Sequence, residues 1–244
     1  MGIIKNANLP QNPVKYAAVS CEAFDLVSEL ERLGIHTLKV KKSNNVLPGL
    51  ASHADMHLLH LGGSELWISQ DQLDNIDEFE SLGFNVHTLS TELKKNYPYD
   101  VPLNAAILGD NVFLNSKSIC KDINFTGKNI INVKQGYSKC STCIVNSNAI
   151  ISDDESIHRA ALKNKIDSLF IQKGDIILKG MNYGFIGGCS GLINKDIMLF
   201  NGKLKSHRNY DEIKNFLLNY NIRTTSVGDY PLTDIGGILP LLEK

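Results

Sequence analysis

One structural phrase is written five times along this chain. Each copy runs from a short apolar strand through an acidic or polar cap into a helix of up to three turns, and ends in another apolar strand. The copies span Tyr16–Val40, Met56–Leu89, Asn104–Val133, Cys143–Ile171 and Leu192–Val227. They start roughly 40–50 residues apart, the period of an array or a propeller, in which no single unit can bury its apolar face alone.

The helices are marked by apolar spacing and by their stops. From Glu22 to Leu33, residues Ala23, Leu26, Val27 and Leu30 share one helical face, and Gly34 ends the helix. Asp71 to Leu82 carries Leu73, Ile76, Phe79 and Leu82 before Gly83. Asp154 to Lys163 places acids in its first turn, where the helix dipole favours them. Tyr210 to Tyr220 puts Ile213, Phe216, Leu217 and Tyr220 on one face behind Asn209. The third unit leaves only Lys117 to Asp122 for a helix, so a short or degenerate one is expected.

Ahead of the helices lie hairpins, the clearest being Leu103–Leu108 and Val112–Asn115 about the turn Gly109-Asp110-Asn111. The first unit lacks its hairpin, and an orphan strand, Ile235 to Leu242, stands at the other end of the sequence. The expectation is ring closure, with the late strand completing the first unit and hiding its edge. The reading is one α/β domain over 1–244, a pseudo-fivefold α/β-propeller of ββαβ units. The units cover about 14–40 with 235–242, then 50–90, 101–134, 138–172 and 184–228.

This pattern resembles the pentein or guanidine-modifying-enzyme fold. Asp234-Ile235-Gly236-Gly237-Ile238 is similar to the Gly-Gly strand that closes that ring. Gln135 to Cys143 and Gly184 to Gly191 resemble phrases of an uncharacterised clostridial family assigned the same fold, so a bacterial source is expected. The resemblance implies a central site where a cysteine attacks the guanidinium carbon of arginine-like substrates, assisted by a histidine and acids. It also implies that this cysteine follows the Gly-Gly of the closing strand. Here Leu239 and Pro240 stand in that stretch, and no cysteine follows Cys189. Proline cannot replace a thiolate in covalent attack.

Composition narrows the remaining classes. With net charge -1 and no basic stripe, neither nucleic acid nor an anionic membrane surface is an expected partner. No apolar run has the length of a membrane span and the opening residues carry no secretory core, so the cytoplasm is the expected compartment. Five cysteines, an odd count, argue against a disulfide framework. Cys140-Ser141-Thr142-Cys143 has no second ligand pair for zinc and leads into a strand rather than a helix, so neither a metal nor a redox pair is expected. No phosphate-binding loop occurs, and no cofactor is expected.

The candidate residues are then few. Cys189, in the run Gly187-Gly188-Cys189-Ser190-Gly191, is the best surviving thiol, and Cys143 is the second. His53-Ala54-Asp55-Met56-His57, if extended, puts His53, Asp55 and His57 on one face, with a histidine base and a carboxylate for a cation. His36, His60, His87, His158 and His207 read as structural or surface residues. Asn104, Lys139, Ser190 and Asp234 lie with these near hairpin starts, which a ring brings together. Two functional readings follow. One is a binding protein or degenerate guanidine-modifying protein that takes a small, cationic molecule. The other is a hydrolase or transferase on guanidino or amidino C–N bonds, using Cys189 or Cys143 as nucleophile, His53 or His57 as base and Asp55 to bind the cation. A third, an assembly factor without chemistry, gains nothing from the near-neutral charge.

Overall fold

Five small sheets surround one axis in the computed structural model, which describes residues 1–244. Blade two contains β4 (Leu58–Gly62), β5 (Glu65–Ile68) and β6 (Asn85–Thr88), and blade three contains β7 (Ala106–Leu108), β8 (Asn111–Leu114) and β9 (Asn129–Asn132). Blade four contains β10 (Thr142–Asn146), β11 (Ala149–Ser152) and β12 (Asp167–Phe170), and blade five contains β13 (Ser190–Asn194), β14 (Ile197–Lys203) and β15 (Arg223–Pro231). In each, the first two strands form an antiparallel hairpin and the third returns parallel to the second. That return needs a crossover, and in blades two, four and five the crossover supplies the helix of the repeat.

Blade one is closed by both ends of the chain. Its order is β1 (Gly2–Ile3), β16 (Leu239–Glu243), β2 (Val14–Ser20) and β3 (His36–Val40). The late strand β16 pairs antiparallel with β2, with Leu239 opposite Ala18, and β2 pairs parallel with β3. The unit is therefore the same ββαβ phrase assembled from two distant pieces. β16 begins later than the expected Ile235 because Gly236 and Gly237 take positive φ values of 80° and 79°, which no strand continues through.

The helices follow the sequence closely where one apolar face decides them. Helix α1 (Phe24–Arg32) buries Leu26, Val27 and Leu30, α4 (Glu155–Lys163) buries Ile157 and Ala161, and α5 (Tyr210–Asn219) buries Ile213 and Leu217. The side chain of Asp154 caps α4, accepting from the backbone N–H groups of Ser156 and Ile157 at 2.9 and 3.1 Å. The second unit differs from expectation. Residues 70–75 form a 3-10 turn before α3 (Ile76–Ser81), Leu73 is exposed, and Gln72 is buried in its place. The Gln72 amide satisfies both backbone groups of Lys41 just beyond β3, which makes it the better interior residue. The third unit has no helix, and Ile119 and Ile123 cover its sheet from a loop.

The core is shared between neighbouring blades. Cys143, Ile144 and Ile151 of blade four pack with Leu192 and Phe200 of blade five, and Ala106 and Phe113 of blade three join them. The N-terminal segment crosses one end of the axis. Ile4 packs into blade one, Ala7 beside Leu59 and Leu103, and Leu9 among the blade-four and blade-five residues. Asn8, at φ 65°, donates from its amide to the carbonyl of Ile107 at 3.0 Å. No helix is long and apolar enough to cross a membrane.

Candidate functional site

The residues entering each blade's inner strand meet on the axis. They are His53 and Asp55 before β4, Asn104 before β7, Lys139 and Cys140 before β10, Gly187 to Cys189 before β13, and Asp234 to Gly237 before β16. All but Cys140, which the sequence marks only as half of a CxxC pair, Ile235 and the four glycines stand among the candidates drawn from the sequence.

The local geometry of His53 to His57 corrects one expectation. Residues Ala54–His57 form a single helical turn, α2, so His53, Asp55 and His57 do not alternate along a strand face. At about 100° per residue, positions two apart point to different sides of a turn. His57 is consumed internally, with Nδ1 2.7 Å from the Ser69 hydroxyl and Nε2 2.9 Å from the carbonyl oxygen of Ala51. His53 instead faces Asp234, its Nδ1 3.6 Å from Oδ1. The turn forms because the backbone N–H of Asp55 donates to the carbonyl of Gly236 at 3.0 Å, bending the chain against the closing segment.

Asn104 ties three blades together. Its Oδ1 accepts from the Lys139 N–H at 2.7 Å, and its Nδ2 donates to the Asp55 carbonyl at 2.9 Å and to Cys140 Sγ at 3.2 Å. Lys139 is buried, and its Nζ donates to the carbonyl of Gly187 at 3.3 Å. Ser190 is likewise turned inward, donating to the Ile186 carbonyl at 2.7 Å. Asp234 accepts from the Phe185 N–H at 2.9 Å and the Gly236 N–H at 3.0 Å. Asp55 is buried, and neither carboxylate oxygen has a hydrogen-bond partner within the chain. Two voids of about 10 Å³, each the size of one water, lie on the axis and share Asn8, Lys139 and Pro240. Leu239 and Asp55 line the first of them.

Glycine sets how closely these strands approach. A Cβ on Gly187 would overlap the carbonyl oxygens of Lys139 and Thr142, and one on Gly188 would overlap the Asp234 carboxylate. The clash at Gly187 is with backbone, which has no rotamer to yield. Gly187→Ala is expected to lower stability by about 3 kcal/mol or more, read as a fall in the urea midpoint with an unchanged slope.

Cys140 and Cys189 on the axis and Cys143 in the neighbouring core are fully buried, and burial pushes each one up. Cys140 and Cys189 lie well above the ordinary thiol range, with Asp55 acting further on the first and Asp234 on the second. Cys143 is pushed up to about 11. Cys189 donates to the Ile186 carbonyl at 3.3 Å, and Cys143 sits 3.9 Å from the Met198 sulfur in the core. Thiols in this state carry almost no thiolate at neutral pH.

A cleft of about 710 Å³ opens above the axis, with His53 and Asp234 among its lining residues. Its wall carries Glu22, whose carboxylate pairs with Lys42 at 2.7 Å and accepts from the Ser52 hydroxyl at 3.0 Å. Ser20 and Ser52 share a 2.7 Å hydrogen bond. Lys179 lines the cleft without an ion pair, and Phe24, Leu47, Pro48 and Met181 complete it. None of these wall residues was drawn from the sequence. One signal was there: a serine ends the second strand of the repeat, and its Oγ accepts from the N–H two residues on, in Ser20 with Glu22 and again in Ser152 with Asp154. No group of three or more His, Cys, Asp or Glu side chains is arranged to hold a metal ion.

The same architecture occurs in solved guanidine-modifying enzymes. The inosamine-phosphate amidinotransferase of Streptomyces griseus superposes with a TM-score of 0.64 at 11% identity, over 100% of this chain and 98% of that one. An amidinotransferase of saxitoxin biosynthesis from Microseira wollei gives 0.59 at 8%, over 93% and 91%. The agmatine deiminase of C. jejuni gives 0.54 at 11%, over 91% and 89%. Together with the five ββαβ blades, these likenesses define the chain as a pentein-type α/β-propeller. At such identities they speak for fold and not for activity. Residues 18–239 match the family of unknown function DUF6873, and the chain belongs to that family. No curated protein matches it.

Proposed function

We propose that this protein binds a small molecule bearing a guanidinium or amidinium group in the 710 Å³ cleft, without covalent thiol chemistry. The observation that carries this reading is the buried Asp234 carboxylate lining the cleft, while Cys140, Cys143 and Cys189 are fully buried and burial holds each above the ordinary thiol range. A carboxylate held by two backbone N–H groups is fixed in place for a planar cation. His53 Nδ1 lies 3.6 Å from Asp234 Oδ1 without a hydrogen bond, and the Asn104, Lys139 and Ser190 bonds hold the axis together. Leu239 and Pro240 occupy the stretch of the closing strand where the resemblance places a nucleophile.

The test pairs binding with labelling. Calorimetric titration with methylguanidine should give a saturable heat, and Asp234→Asn should weaken it by at least tenfold, about 1.4 kcal/mol. Burial raises the Asp234 carboxyl, so affinity is lost on acidification at a higher pH than for an ordinary aspartate. Peptide mapping after exposure to a haloacetamidine, with iodoacetamide as control, reads the thiols. Cys21 and Cys120, which are partly exposed, should label with both reagents. Fast labelling of Cys189 or Cys143 by the amidine reagent alone would overturn this proposal in favour of a thiol enzyme with His53 as base.

A further inference from the structure

We infer that the cleft takes an amphiphilic monocation, a guanidinium or amidinium head on an aromatic or branched apolar body, rather than a compact or doubly charged one. This rests on the cleft being the binding site. Three observations lead to it.

The first is size. A cleft of about 710 Å³ lies within the range that holds ligands of drug-like dimensions, far more than a four-atom cationic head requires. The second is the separation of chemistry along its wall. The buried polar residues His53, Asp234 and Ser52 lie together, while Phe24, Leu47 and Met181 supply apolar surface. Phe24 is 73% exposed and Met181 44% exposed. Helix α1 packs through Leu26, Val27 and Leu30, so Phe24 has no part in holding the helix to the core. A large aromatic left in water beside a cavity is surface available to a ligand.

The third is charge. Glu22 is matched by Lys42 at 2.7 Å, so it offers little to a second cation. Lys179, unpaired and also lining the cleft, repels one. The wall therefore accepts one positive charge at Asp234 and disfavours a diamine or a guanidino-amine. A neutral aromatic or branched body meets Phe24 and Met181, and a carboxylate on that body would meet Lys179.

The experiment uses the full chain and three probes: methylguanidine, phenethylguanidine and agmatine. Titration calorimetry at neutral pH should rank phenethylguanidine at least tenfold tighter than methylguanidine, with agmatine weakest. Phe24→Ala should abolish the preference for phenethylguanidine, and Lys179→Gln should raise affinity for agmatine. Because Phe24 is exposed, the variant's melting temperature should match the wild type and exclude misfolding as the cause. Equal affinities for phenethylguanidine and methylguanidine, or agmatine binding tightest, would overturn this inference and leave the cleft as a cation site. If no probe binds, or if Asp234→Asn binds all three unchanged, the cleft reading itself fails and this inference with it.

Discussion

Replacing Asp153 by asparagine is expected to stabilise the protein by about 4 kcal/mol at pH 8 and to leave it almost unchanged at pH 4. Asp153 follows β11 at the start of the α4 cap and is 1% exposed, and its Oδ1 has no hydrogen-bond partner. Burial pushes its carboxyl up to about 7 from an ordinary 3.8, with Lys173 opposing and Asp154 and Asp234 adding to the rise. A carboxyl whose folded value is raised favours the fold while both states are protonated. That advantage is present below the unfolded value and is lost as pH rises through the folded one. Each pH unit in this window removes ~1.4 kcal/mol, so most of the loss falls between about 4 and 7. Asparagine keeps the neutral shape at every pH. Thermal melts at pH 4, 6 and 8 should show the variant and wild type together at the acid end and separated by roughly 8–16 °C at pH 8. Parallel curves across that range would mean that Asp153 is ionised and solvated in the folded protein.

Deleting residues 1–9 is expected to cost on the order of 5 kcal/mol, a fall of roughly 10–20 °C in the melting temperature. Ile4 and Leu9 are buried in separate cores, and Ala7 lies in a third. The Ile4 N–H donates to the Leu241 carbonyl at 3.0 Å, and the Gly63 N–H donates back to the Ile4 carbonyl at 3.1 Å. The segment thus fastens the closing strand to blade two and then passes to blades three, four and five. Asn8 lines both axial voids, so its removal also opens a route to the buried thiols. Iodoacetamide should then label Cys140 and Cys143 faster at a temperature well below the melt. A deletion that melts within about 2 °C of wild type would show that these contacts carry no stability.

How far the sequence could be read depends on the range of the interactions involved. The ring was legible because the same local chemistry recurs: the faces of α1, α4 and α5, the glycine stops after the first two helices, and the hairpin turns. Ring closure was legible because β2 had no hairpin partner and residues 239–242 had no helix. Asp55, Asn104, Cys143, Cys189 and Asp234 were expected to converge from their shared place near hairpin starts; Cys143 instead packs in the core of blades four and five. The α2 turn was not legible. His53 to His57 alternates as a strand would, and it is bent by Gly236 from the far end of the chain. The cleft was hidden for the same reason. Glu22, Lys42, Ser52 and Lys179 come from four separated segments, and no local period links them. Gln72 defeated the helical face of the second unit through hydrogen bonds to Lys41, which hydropathy does not register.

Blade one sets the timetable on which this chain can fold. Its strand β2 (Val14–Ser20) and inner partner β16 (Leu239–Glu243) stand at widely separated places in the sequence, β2 long before β16. At ordinary synthesis rates of 5–20 residues per second, β2 waits roughly 10–45 s for that partner. Through this interval the edge of Val14–Ser20, with its apolar Ala17, Ala18 and Val19, faces the cell unpaired. A propeller whose first blade pairs strands so far apart in sequence therefore cannot close that blade until β16 has left the ribosome. Its last step comes after translation of β16, and protection of the nascent N-terminal strand becomes a requirement of its biogenesis.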